Sequence, residues 1–218
     1  GSAATMAAIM SLEPDDMIAI GRVCTATLQT MADADWSVKA GDLEWDCRQT
    51  LDHMVNAPLF YATNLAMRST SRIRPPRSAE PNLPVADLIA SIETAATILA
   101  RVAAEAPASA RGFHPAGMAD AEGFMAMGAN ELLVHTFDIA SGLGLPFQPT
   151  AGLANEAVRR LYPWAPTDAE PWPTMLWAAG RKALGDTPRQ GPDWWIYCAP
   201  LAEWDGKIRT RQLPAAAR

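Results

Sequence analysis

Two of the three histidines in this 218-residue chain keep company with side chains that could grip a metal ion. Glu131 and His135 stand four residues apart, so on a helix they stack on one face, and Asp138 follows three residues later on the same stripe. His53 lies far upstream, near the start of another helical pattern. Two neutral imidazoles and one carboxylate make a good ligand set for a divalent transition metal, with a position left for water or substrate. Gly128, three residues before Glu131, would leave room above such an ion. Asp138 would orient His135 through its other ring nitrogen. Spacing alone leaves plainer readings open. A Glu–His pair at i, i+4 is also an ordinary solvated helix contact, His53 can satisfy a freed carbonyl, and Asp138 can pair with an arginine. His114, before Pro115 in a loop, reads as a surface residue.

These side chains need helices to bring them together. A first helix is expected from Pro14 to about Met31, with Pro at the first position and Asp15 and Asp16 where the helix dipole favours anions. A second starts at Asp46, where an Asp cap with Gln49 three residues on forms a variant capping box. It runs to about Arg68 with Pro58 inside it, and a kink just past His53 follows from the hydrogen bond that proline removes. A third runs from about Pro84 to Ala106. The fourth runs from near Asp120 to Gly142 or Gly144. Four such helices without an intervening strand predict a mainly α fold, an antiparallel four-helix bundle over residues 10–145. Residues 146–218 read as a C-terminal extension packed on the bundle, with short helices (151–162 and 172–184) and a terminal β-hairpin over 193–211.

Composition narrows the partners. With 49% apolar residues the chain can bury one sizeable core. Its net charge of −6 disfavours nucleic acid. No apolar run approaches the ~20 residues of a membrane span, and no secretory leader is read, so a cytoplasmic protein is expected. Cys24, Cys47 and Cys198 form no C-x-x-C pair, which argues against a disulfide framework or a cysteine zinc site; each reads as a small core residue.

The stretch from Leu43 to Met54, with Trp45, Asp46, Leu51 and His53, resembles the Trp-polar-x-x-x-x-Leu-x-His signature of DinB-like proteins, and more specifically the N-terminal domain of mycothiol-dependent maleylpyruvate isomerases. Glu131, His135 and Asp138 resemble that family's second signature, Glu-x-x-x-His-x-x-Asp. The tail from Trp194 through Trp204 is similar to the end of actinobacterial relatives. The resemblance implies a DinB-type bundle with a divalent metal, usually zinc, with nickel, iron or manganese as alternatives. His53, Glu131 and His135 fall on the ligand positions. It also implies a low-molecular-weight thiol, mycothiol or another, as cosubstrate, in thiol transfer to an electrophile or in isomerisation.

On that reading the metal deprotonates a bound thiol, and the thiolate attacks a small electrophilic substrate without any catalytic cysteine. The same ligands would also suit a hydrolase acting through metal-activated water, a binding bundle without catalysis, or Fe(II) oxygen chemistry, ranked below the thiol reading. Arg209 is the expected basic residue late in the chain near the metal. Arg68, Arg72, Arg74 and Arg77 read as solvated loop charge. Trp45 reads as a staple onto the bundle, and Trp194, Trp195 and Trp204 as a roof over its open end. The chain is expected to act as a monomer or homodimer on small molecules.

Overall fold

The computed structural model describes residues 11–74 and 82–215; Pro75, Pro76 and Arg77 lie outside them. The fold is mainly helical. Four long helices come first: α1 (Pro14–Gln29), α2 (Cys47–Ala66), α3 (Val85–Glu105) and α4 (Ala121–Gly142). α1 and α2 each pack on both α3 and α4, so these successive helices sit at opposite corners of the bundle. The connection between them, residues 30–46, must therefore cross the bundle, and it does so against the C-terminal half of α4.

The capping residues explain where the helices begin. Asp46 accepts from the Gln49 amide at 2.7 Å, and Gln49 Oε1 accepts from the Asp46 amide at 3.0 Å, closing the expected box at the start of α2. Asp120 caps α4 by accepting from the Gly123 amide at 3.0 Å. α4 ends in a Schellman motif: Gly144, at φ 75°, reverses the chain, and the Leu145 and Gly144 amides bond the Ala140 and Ser141 carbonyls. α2 runs on through the buried Pro58.

α4 is buried on nearly every side, from Phe124 to Ala140, because the bundle covers one face and the extension covers the other. The extension contains α5 (Ala151–Leu161) and α6 (Pro171–Ala178), the latter ending several residues earlier than its pattern suggests, ahead of Gly180 at φ 71°. α5 packs on α4, and α6 packs mainly on α5. Arg160 of α5, 3% exposed, is held by Asp120, Glu122 and the Cys198 carbonyl. It thereby ties the start of α4 to the tail.

The strand pairing lies elsewhere than expected. The ladder joins β1 (Gly112–His114) to β2 (Gly117–Ala119), between α3 and α4, with His114 opposite Gly117. Gly112 packs so closely on α2 that an added Cβ would meet the Asn64 carbonyl oxygen at 2.5 Å, which seats the hairpin against that helix. In the tail, pairing is reduced to a bridge between Trp194 and Thr210, with the Arg211 amide on the Asp193 carbonyl. Two prolines and a glycine (Pro192, Pro200, Gly206) punctuate this stretch and keep it from forming a longer ladder.

The crossing connection is pinned by a second close approach. A Cβ at Gly142 would sit 2.2 Å from the Lys39 carbonyl oxygen. Gly142→Ala must push residues 39–46 off α4, and overpacking of this kind costs about 1–3 kcal/mol. Urea unfolding of the variant should show a loss in that range; an unchanged midpoint would mean the connection is not held at this point.

Candidate metal centre

His53 comes from α2, and Glu131 and His135 from α4. The two histidines aim their Nε2 atoms at the same carboxylate oxygen, Glu131 Oε2, at 2.8 Å and 2.9 Å. Their rings meet edge to face with centroids 5.2 Å apart. One ligand atom from each of the three residues lies within 4.8 Å of the others. Two imidazole N–H groups converging on one carboxylate oxygen are a donor set a cation can take over, its charge replacing the two protons. The residues fit a divalent metal.

The remaining groups fix how His135 presents itself. Its Nδ1 donates to Asp138 Oδ2 at 3.0 Å, which leaves Nε2 for the cluster. Asp138 is 3% exposed and also accepts a bidentate pair from Arg181, at 3.1 Å to Oδ1 and 2.7 Å to Oδ2. Both readings of Asp138, partner of His135 and partner of an arginine, therefore hold at once. Burial works against the charged form of both carboxylates. The hydrogen bonds from His135 and His53 outweigh it at Glu131, as those from His135 and Arg181 do at Asp138, and hold both below their ordinary range. Burial likewise opposes the His135 imidazolium, yet its bonds to Asp138 and Glu131 lift it to about 9.

Two cavities meet at this cluster. An inner one of about 420 Å³ is walled by Phe60, Tyr61, His114, Met127, Trp195 and Ile196. An outer one of about 400 Å³ runs past Trp45, Val134, His135 and Arg181. His53, Asn130, Glu131, Trp194 and Arg211 line both. Tyr61 is held well above its ordinary value by burial and by the charge of Glu131.

Several expectations need correction. Gly128 does not open onto the cluster. A Cβ there would meet Leu99 at 2.8 Å and Met17 at 3.2 Å, so it serves α4's contact with α1 and α3; the site-facing stripe continues through Met127 instead. Arg209 bonds Asp205 and lies over Tyr197, while Arg211 enters both cavities with its guanidinium 4.1 Å from the Trp195 ring centroid. Two residues apart, these arginines would share a face of a regular strand; the tail pairs only at the Thr210 bridge, and the two side chains go to different partners. Arg72 and Arg74 are exposed loop residues, as expected, and they also line the inner cavity. Asn64 positions that loop by accepting from Ser69 at 2.7 Å and from the Ile73 amide at 3.1 Å.

Trp45 is 43% exposed and is no staple: its ring stands 5.1 Å from His53 and 6.4 Å from His135. Trp194 and Trp195 do line the cavities, but Trp204 packs against Trp164. His114 is buried, not on the surface. All three cysteines are buried and free, their thiols pushed up by burial to between about 11 and about 12.

Residues 19–140 match the family described as Mycothiol maleylpyruvate isomerase N-terminal domain. The chain belongs to that family. In this member of the mycothiol maleylpyruvate isomerase N-terminal domain family the matched span contains His53, Glu131, His135 and Asp138, whereas Arg181, Trp194 and Arg211 come from beyond it. No curated protein and no solved structure matches the chain. No helix among the described residues is long and apolar enough to cross a membrane.

The two buried histidines set opposite pH limits on the metal-free protein. His135, lifted from 6.5 to about 9, contributes stability that is complete below pH 6.5 and is lost as the pH rises through about 9. Burial lowers His114 from 6.5 to about 4, with Glu131 opposing and Arg72 and Arg211 adding to the shift. The unfolded chain then takes up this proton first, and stability falls as the pH drops from 6.5 through about 4. Urea midpoints of the chelator-treated protein should peak near pH 6.5, and His114→Phe should flatten the acid side. A midpoint rising steadily to about pH 9 would contradict the assignment of His135.

Proposed function

We propose that the chain is a metal-dependent enzyme that uses a low-molecular-weight thiol, of the mycothiol type, to transfer sulfur to a small electrophile or to isomerise it. The observation that carries this reading is the convergence of His53 Nε2, His135 Nε2 and Glu131 Oε2 at the junction of two cavities. The family to which the chain belongs supports the thiol. A divalent ion held by His53, Glu131 and His135, zinc first, supplies the charge that acidifies a thiol brought to it.

The chain's own groups do the rest. Asp138 keeps a proton on His135 Nδ1 and so keeps Nε2 directed at the centre, while Arg181 keeps Asp138 charged and in place. Arg211 and Arg72 offer guanidinium groups to anionic oxygens of the thiol or the electrophile. Trp45, Trp194 and Trp195 exclude water. Tyr61, kept protonated, holds a proton beside Glu131. With every cysteine buried and protonated, the nucleophilic sulfur comes from the cosubstrate.

Elemental analysis of the purified protein should find one divalent transition metal per chain. His135→Ala should lose it while far-UV circular dichroism keeps the helical signal, and Asp138→Ala should weaken metal affinity about 10–100-fold. Turnover of electrophiles in a mass-spectrometric screen should require added thiol; turnover without any thiol would point to hydrolysis instead. Removing a charged hydrogen-bond partner costs about 1.5–3 kcal/mol. Arg211→Ala should therefore raise the KM for thiol or electrophile by about tenfold or more, and Arg209→Ala should leave both KM values within about twofold. Equal effects of the two arginines would remove Arg211 from the binding role.

A further inference from the structure

The inner cavity contains a polar group that the metal and thiol chemistry leaves unused. His114 is 8% exposed and is packed among aromatic rings, with Tyr61 at 5.7 Å, Trp195 at 6.1 Å and Phe60 at 6.5 Å between centroids. The hairpin fixes its tautomer. The Ala116 amide donates to His114 Nδ1 at 3.0 Å, so Nδ1 carries no proton and Nε2 must carry it. That Nε2–H has no hydrogen-bond partner among the described residues, and it is the one polar atom His114 has left to face the cavity it lines. Nε2 is not among the buried atoms left without a partner, so it opens to the cavity, and a hairpin seated tightly on α2 keeps it there.

The cavity that His114 shares with His53 and Glu131, about 420 Å³, suits a small molecule. The Tyr61 ring packs on His114, and Tyr61, His114, His53 and Glu131 line one cavity. Between them the walls are apolar: Ala57, Phe60, Met127 and Ile196. The cationic groups, Arg72, Arg74 and Arg211, belong to the same cavity, but Arg72 and Arg211 are engaged over the rings of Phe60 and Trp195, not over His114.

We propose that His114 is a specificity-determining residue: its Nε2–H receives an uncharged acceptor oxygen, of the carbonyl type, at the inner end of an apolar-bodied electrophile whose reactive carbon lies toward Glu131. The inference rests on reading the inner cavity as the seat of the electrophile. A site built to donate a hydrogen bond discriminates strongly against the analogue that lacks the acceptor, because the donor is then left buried and unpaired.

The test uses two probes of one shape, acetophenone and α-methylstyrene, which differ in carrying C=O or C=CH2. They are titrated into the metal-loaded full chain while tryptophan fluorescence is followed. Acetophenone should bind about tenfold tighter than α-methylstyrene. His114→Phe should erase the preference, and His114→Gln, which keeps an N–H donor, should retain part of it. A ketone held by the metal instead would keep its preference in His114→Phe.

Spectra of 15N-histidine-labelled parent protein make the test independent of whether the variants fold. They should show His114 with its proton on Nε2 and that signal moving with acetophenone but not with α-methylstyrene. A preference that survives in His114→Phe, the absence of a preference in the parent, or a proton on Nδ1 would each overturn the proposal. Neither readout requires turnover or thiol. Failure here leaves the metal and thiol measurements standing, and failure of thiol dependence leaves this titration interpretable.

Discussion

The central constraint on this molecule is three ionisable groups, two buried and one partly buried, on a helix that is otherwise apolar almost all round. An unpaired charge inside a protein costs several kcal/mol, and α4 carries the buried His135 and Asp138 and the partly buried Glu131 along its middle. Every neighbouring feature answers that cost. His53 reaches across from α2 to share Glu131, Asp138 takes the far nitrogen of His135, and Arg181 from the extension closes the chain of pairs. The result is a continuous line from Arg181 through Asp138 and His135 to Glu131 and His53, in which each group is held by the next.

That line explains why the extension cannot be treated as an appendage. Arg181 supplies its last member, and Trp194 and Arg211 supply walls of the cavities that open on its first. Close approaches at particular glycines keep these parts together. Gly180 admits Trp194, whose Cδ1 would lie 2.6 Å from an added Cβ, and Gly142 admits the connection that carries Trp45 over the two histidines. The histidine cluster is thus covered by segments from both ends of the chain.

What could be read from the sequence was what depends on helical periodicity. The cap at Asp46 and Gln49, the cap at Asp120 and the stripe of Glu131, His135 and Asp138 follow from spacing, and the bundle follows from four amphipathic or apolar stretches. Gly128 shows the limit of that reasoning. Three residues are 60° short of a full turn, enough to carry Gly128 off the site and onto Met17 and Leu99. His114, Arg181, Trp45 and Arg211 carry no periodic signal, because each sits in a loop, hairpin or tail placed by tertiary contacts. Arg209 and Arg211, two residues apart, would share one face of a regular strand, so periodicity offered no choice between them. A histidine before Pro115 gave no sign that a two-residue turn would fold it inward.

The most direct measurement is X-ray absorption at the metal edge of the loaded protein, before and after addition of thiol. The account predicts a first shell of two imidazoles with oxygen, and a single sulfur at about 2.3 Å appearing when thiol is added. A shell with fewer than two imidazoles, or one that takes up no sulfur, would contradict it.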